Sequence, residues 1–243
     1  MRTPSFRYMG GKAKLRGWLM EHFPKVGRIY GEPFVGRGNV LWEARKRLSF
    51  DKWVISDLDT SFFRALRTAD LEQLPDKVTK ETFGYWKTAG TDIACLIESR
   101  VTFAGKGWKY GIGDKPEDPH SYSAKCYKPM CTEARRLLDG VEVLEGDWQS
   151  FPYSGLTSDD FLYFDPPYYG TKAMYSNIDH VNFIQVLNSL PCKWAVSGYD
   201  NPLYDTLNCK CKYKKVRDQA MKTSHRGFGQ YVEETLWTNY ENP

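Results

Sequence analysis

The sequence predicts an α/β fold: a mostly parallel sheet with helices on both faces, carrying a helical and loop-rich insertion. Three observations predict it. Short apolar runs alternate with helical stretches, several runs stop at a carboxylate or a glycine, and one long middle segment breaks the rhythm.

The elements follow in order. Residues 29–35 (IYGEPFV) read as a buried strand running into a glycine turn, and a helix follows from about Asn39 to Leu48. Residues 52–56 (KWVIS) form a second strand ending at Asp57, with a helix starting near Thr60. Residues 141–145 (VEVLE) form a third, stopped by Gly146-Asp147. Residues 161–164 (FLYF) form a fourth, stopped by Asp165-Pro166-Pro167. A helix from about His180 to Leu190 leads into a fifth strand, residues 193–197 (KWAVS). Residues 232–238 (VEETLWT) alternate apolar and polar more openly, as a late antiparallel strand does. Periodicity fades from about Leu71 to Gly140, and residues 104–122 are rich in Gly, Lys and Tyr. Residues 1–70 and 141–243 are therefore expected to form one domain, with 71–140 as an inserted subdomain.

Composition narrows the function classes. The chain has 243 residues, 41% of them hydrophobic, which excludes a mainly disordered polymer. A net charge of +4 permits a polyanionic partner without demanding one. The positive residues cluster: Lys106, Lys109, Lys115, Lys125 and Lys128 in one stretch, and Lys210 to Arg226 in another, with Asp218 its only acid. Either stretch alone reads as readily as a solvated face. No charged-then-apolar signal opens the sequence, and no apolar run nears the roughly 20 residues of a membrane span. A soluble, cytoplasmic chain with no membrane partner is expected. The six Cys are expected as reduced thiols. Cys126/Cys131 and Cys209/Cys211 lack the CxxC spacing, so no metal is expected.

Residues 32–38 (EPFVGRG) carry Gly36 and Gly38 between a strand and a helix. Such a turn lets a ligand approach the backbone closely. Alone it reads equally as a tight βα turn. Asp57 lies 19 residues beyond Gly38, at the end of the next strand, where doubly wound folds place an acceptor for ribose hydroxyls. The pair points to an adenosine-containing cofactor. A third glycine for a pyrophosphate cradle is missing, which favours S-adenosylmethionine (SAM) over a dinucleotide. Asp147 follows the third strand in the same manner, as an acceptor for an adenine amino group, with Trp148 to pack on the ring; a turn-capping Asp is the plainer reading.

Asp165-Pro166-Pro167-Tyr168 follows the fourth strand. Neither proline has an N–H to donate, so the Pro166 carbonyl is free to accept alongside the Asp165 carboxylate. Two acceptors converging on one amino group suit methylation of an aromatic amine, whose lone pair must leave the ring's conjugation. Tyr168 offers a stacking face to an extruded base.

The set Tyr8-Met9-Gly10-Gly11-Lys12, Glu32 to Gly38, Ser56-Asp57, Gly146-Asp147-Trp148 and Asp165 to Tyr168 resembles the Dam-like (D12 class) DNA adenine-N6 methyltransferases, and the ending Glu233 to Tyr240 looks like that family's closing strand. The resemblance implies a Rossmann-like SAM-dependent methyltransferase fold, SAM as cofactor and duplex DNA as partner. It implies catalytic roles for Asp165, Pro166 and Tyr168. It implies cofactor contacts for Tyr8, Lys12, Phe34, Gly36, Gly38, Asp57, Asp147, Trp148 and Asp165, with Lys12 near the methionine end. It makes 71–140 a DNA target-recognition subdomain, with Arg100, Lys106, Lys109 and Lys125 as DNA-binding candidates, and 169–178 a loop over the site. Tyr8 stands where relatives often carry Trp, and residues 99–113 only partly follow the family's pattern for reading GATC. A restriction endonuclease partner and a monomeric or weakly dimeric state stay open. So do two alternatives, cytosine-N4 methylation and an inactive DNA-binding module. Pro191-Cys192 offers the dipeptide of a carbon-5 cytosine enzyme but leads into a strand, where a core thiol is the better reading.

Overall fold

The computed structural model describes residues 2–8, 10–102, 124–170, 178–218 and 231–241. Seven strands form one sheet: β1 (Val26–Glu32), β2 (Ser49–Asp57), β3 (Val141–Glu145), β4 (Phe161–Phe164), β5 (Lys193–Gly198), β6 (Cys211–Asp218) and β7 (Tyr231–Thr238). Their order is β3-β2-β1-β4-β5-β7-β6. Strands β1 to β5 run parallel, and β7 is antiparallel to both β5 and β6. The parallel sheet and the late antiparallel strand follow the sequence expectation. β1 lies three residues earlier than expected, because Pro33 leads the chain out of the ladder. β6 was read only as a basic stretch.

The strands of the sheet's centre are apolar on both faces, because both are covered. On β4, Phe161 and Tyr163 join one core cluster while Leu162 and Phe164 join the other. The first cluster packs beneath α1 (Arg16–His22), α2 (Asn39–Arg47), α3 (Ser61–Thr68), α5 (Asp92–Val101) and α6 (Ala124–Leu137). The second lies beneath α7 (His180–Ser189), whose Asp179 N-cap accepts from the Val181 and Asn182 amides at 3.0 and 3.1 Å. A short helix α4 (Lys80–Thr88) starts on a Thr79–Thr82 capping box.

Two helices of the segment 71–140 pack into the main core. Leu96 and Ile97 of α5 and Cys131 and Ala134 of α6 are buried in the same core as Tyr30 of β1. The physical reason is connectivity: parallel β2 and β3 need a crossover, and α6 supplies its last helix. Lys106 and Lys109 lie outside the described residues, as does most of the expected loop 169–178. All six cysteines are free thiols. Among the described residues no cluster of His, Cys, Asp and Glu could hold a metal ion, and no helix is long and apolar enough to cross a membrane.

Candidate active site at the carboxyl edge of the sheet

Parallel strands end on one edge, so the segments that follow β1 to β5 converge there. β1 and β4 are direct neighbours, with Tyr30 opposite Phe161 and Gly31 opposite Leu162. The glycine turn and the double-proline turn therefore leave adjoining strand tips.

The glycine turn is a backbone device. Gly36 and Gly38 have φ of 56° and 71°, which an L side chain rarely adopts. A Cβ on Gly36 would sit 2.7 Å from the Tyr8 ring, and one on Gly38 2.7 Å from Trp42. The Gly36 amide donates to Asp57 Oδ2 at 2.8 Å, tying the turn to the tip of β2. Burial pushes the Asp57 carboxyl up, while the Gly36 and Asp59 amides oppose the shift. The Asp57 carbonyl accepts from the Gly146 amide at 3.0 Å, so the exit of β3 is fastened beside it.

Asp147 is exposed and caps a short helical turn, accepting from the Gln149 amide at 2.9 Å. Trp148 is buried, stacked on Phe34 and edge-on to Phe183, so its ring supports Phe34 from below and presents little open face. Leu58, next to Asp57, is exposed on the same edge. Sequence reasoning passed over it, and its signal was its place directly after the strand-end acid.

Tyr8 is held by a contact equally absent from the motif reading. The Asn39 side chain pairs with both backbone groups of Phe6, accepting from its amide at 3.1 Å and donating to its carbonyl at 2.9 Å. That clamps the N-terminal segment onto the start of α2. The Arg37 guanidinium lies 5.9 Å from the Tyr8 ring and 5.0 Å from Phe62.

The double-proline turn is a side-chain device. Lys12 is 4% exposed, and its Nζ lies 2.7 and 2.8 Å from the two oxygens of Asp165. It also donates to the Gly10 carbonyl at 2.8 Å and lies 3.6 Å from Glu234 Oε1. Ser197 of β5 donates to Asp165 Oδ1 at 2.9 Å, and Tyr163 lies within 2.9 Å of the same hydroxyl. The Tyr168 hydroxyl donates to Glu234, its ring sits 4.8 Å from Lys12 Nζ, and its edge packs on Tyr199. Burial pushes the Asp165 carboxyl up, and the attraction of Lys12 pulls it down. Burial also raises Glu32 well above the usual carboxylate range, against the hydrogen bond from Tyr30.

The structure thus brings Tyr8, Lys12, Phe34, Gly36, Gly38, Asp57, Asp147, Trp148, Asp165, Pro166 and Tyr168 to one edge of the sheet. Arg100 closes α5 and is half-buried, and Lys125 is exposed in the first turn of α6. Ser197 and Glu234 were missed. Ser197 is a polar residue among the apolar positions of β5, a weak but readable signal, whereas Glu234 lies in a strand of mixed character and carries no such signal.

Residues 8–88 match the family model of the D12 class N6 adenine-specific DNA methyltransferases, which bears out the resemblance carried by the motifs. The chain is 22% identical over 289 residues to the modification methylase StsI of Streptococcus sanguinis, covering 96% of this chain but only 42% of that protein. It is 23% identical over 285 residues to the type II methyltransferase M1.LlaDCHI of Lactococcus lactis subsp. cremoris, covering 98% of this chain and 96% of the relative. Among solved structures, the C-terminal domain of precorrin-6Y C5,15-methyltransferase from Rhodobacter capsulatus superposes with a TM-score of 0.44 at 9% identity, covering 93% of this chain and 87% of that one.

Proposed function

We propose that this chain, which matches the D12 class over residues 8–88, is a DNA methyltransferase acting on the exocyclic N6 of adenine, with SAM as methyl donor. One observation carries the reading: the glycine turn after β1 and Asp165 after β4 leave paired neighbouring strands, and Lys12 from the first motif reaches Asp165.

The residues present fit SAM. The positive-φ glycine turn, held tight against Tyr8 and Trp42, and the carboxylate of Asp57 offer a backbone surface and an acceptor, and the missing third glycine suits a cofactor without phosphate. Asp57 would hold the ribose, and Leu58 and Phe34 would flank the adenine with Asp147 as acceptor. Tyr8 would cover the methionine side, and Lys12 would stand near it. SAM supplies an electrophilic methyl carbon on a sulfonium. The target adenine must leave the duplex stack to reach this edge. Asp165 and the Pro166 carbonyl then accept the two N–H groups of its amine. That favours a pyramidal nitrogen with its lone pair free, and it stabilises the positive charge that develops on alkylation. Tyr168 provides a ring for the flipped base, a contact worth about 1–3 kcal/mol.

Duplex DNA is the partner, and the target-recognition role falls on 71–140, where Arg100, Lys106, Lys109 and Lys125 supply phosphate or guanine contacts. The test is incubation with SAM and unmethylated genomic DNA, followed by single-molecule sequencing. N6-methyladenine in a defined context supports the reading. N4-methylcytosine, or no modified base, refutes it.

A further inference from the structure

Glu234 is fully buried in β7, the closing strand, to which the sequence reading assigned no site residue. Because β7 runs antiparallel to β5, its first half lies at the carboxyl edge, and Thr235 pairs with Gly198. The next residue back along the strand is thereby delivered to Asp165. Its neighbour Glu233 is exposed and pairs with Lys214 at 2.6 Å, as alternation along a strand requires. Two adjacent glutamates therefore have opposite surroundings, one at the surface and one beneath the site.

We propose that Glu234 is a positioning residue for methyl transfer: it shares the charge of Lys12, leaving the Asp165 carboxylate a stronger acceptor, and anchors the hydroxyl of Tyr168. The proposal rests on the methyltransferase reading above and deepens it.

The chemistry follows from counting charges. One ammonium stands between two carboxylates, at 2.7 Å from Asp165 and 3.6 Å from Glu234. With both acids ionised, the trio carries one net negative charge. Without Glu234 the remaining pair is neutral, and the ammonium acts on Asp165 alone. A carboxylate offers about four acceptor positions. Ser197 takes one, and Lys12 touches both oxygens. The acceptor strength left for an incoming amine therefore depends on how far a second anion draws Lys12 away. A net negative pocket also favours a nitrogen that becomes cationic as the methyl arrives. Glu234 holds Tyr168 as well, so one side chain sets both the acceptor and the stacking ring.

Glu234→Gln keeps the shape and an acceptor for Tyr168 while deleting the charge. The single-turnover rate of methyl transfer should fall tenfold or more, an effect on the order of 1.4 kcal/mol in the barrier, with SAM affinity changed less than about threefold. The acid limb of the rate–pH profile should move to lower pH, because the neighbouring anion that raises Asp165 is gone. Tyr168→Phe should slow transfer without moving that limb. A carbon-13 carboxylate NMR titration of Asp165 reads the same coupling with no substrate present. Its midpoint should drop in Glu234→Gln. Should that variant fail to fold, Glu234→Asp, with its charge one carbon further back, should lower the midpoint by a smaller amount. An unchanged Asp165 midpoint, or an unchanged rate with an unmoved limb, overturns the proposal. A wild-type chain that methylates no DNA refutes the methyltransferase reading instead, and the titration still decides whether Glu234 governs Asp165.

Discussion

Two corners of the same sheet edge are built by opposite means. At the tips of β1 and β2, Gly36, Gly38 and Asp57 form a corner made of backbone: positive φ angles and an amide donating to a carboxylate. At the tips of β4 and β5, Lys12, Asp165, Ser197, Tyr168 and Glu234 form a corner made of side chains from four separate segments, with Lys12, Ser197 and Glu234 buried. The first shapes a cradle and tolerates no added atom. The second concentrates charge and tolerates no lost partner, because an uncompensated buried charge is costly. A backbone cradle and a cluster of charged side chains thus sit on neighbouring strands with different vulnerabilities.

Substitutions can break that contrast. The largest effect is expected from Asp165→Ala, which removes an acceptor from the reacting amine and leaves Lys12 paired with Glu234 alone. Methyl transfer to DNA, measured with labelled SAM, should drop at least about a thousandfold, on the order of 4 kcal/mol. Near-normal turnover would remove Asp165 from the chemistry.

Gly36→Ala attacks the backbone corner. A Cβ there lies 2.7 Å from the Tyr8 ring at a φ of 56°, so strain and displacement combine. The left-handed conformation alone costs about 1–2 kcal/mol. SAM affinity by calorimetry should weaken by roughly tenfold or more, and unchanged affinity would separate this turn from the cofactor.

Asn39→Ala tests the clamp on the N-terminal segment. Its two bonds to Phe6 are buried, and loss of such partners costs about 1–3 kcal/mol. Hydrogen exchange at the Phe6 amide should accelerate, and a protected amide would show that the clamp is redundant.

Glu32→Gln sharpens the comparison from below, since Glu32 lies near both Asp57 and Asp165. Its folded carboxyl is raised by burial above its unfolded value. The stability it contributes is therefore present in acid and lost as pH rises from the ordinary carboxylate range through the raised value. The variant should match the wild type in acid and melt at higher temperature near neutrality. A difference in Tm that does not grow with pH would contradict the burial argument.

The smallest effect is expected from Lys125→Ala, an exposed side chain away from both corners. DNA binding should weaken across all sequences, with the salt dependence flattened by about one charge. An unchanged slope would place the DNA elsewhere.

Legibility follows the same contrast. The glycine turn, Asp57 and the double proline are contiguous motifs beside apolar runs, and they were readable directly. β6 was not. Its sequence CKYKKVRD shows mostly charged and exposed residues, because it is an edge strand with one partner and little core to cover. Part of the charge of that basic stretch is compensated in the fold. Lys212 and Lys214 bridge Asp200 at 2.6 and 3.0 Å, an acid that the fold brings from outside the stretch. Nor did the weak periodicity of 71–140 betray that α5 and α6 belong to the main core, since their apolar residues are spaced around irregular chain.

The sequence by itself determined six of the seven strands, the glycine and proline turns, and the kind of chemistry those turns suit. Each depends on residues within a few positions of one another, where local backbone preferences act. Only the tertiary structure decided that Glu234, Ser197 and Asn39 belong to the site, that Trp148 lies beneath Phe34, and that Lys12 sits between two acids. Those are meetings of residues as many as 222 positions apart, from Lys12 to Glu234, and strand pairing in space, not spacing along the chain, brings them together.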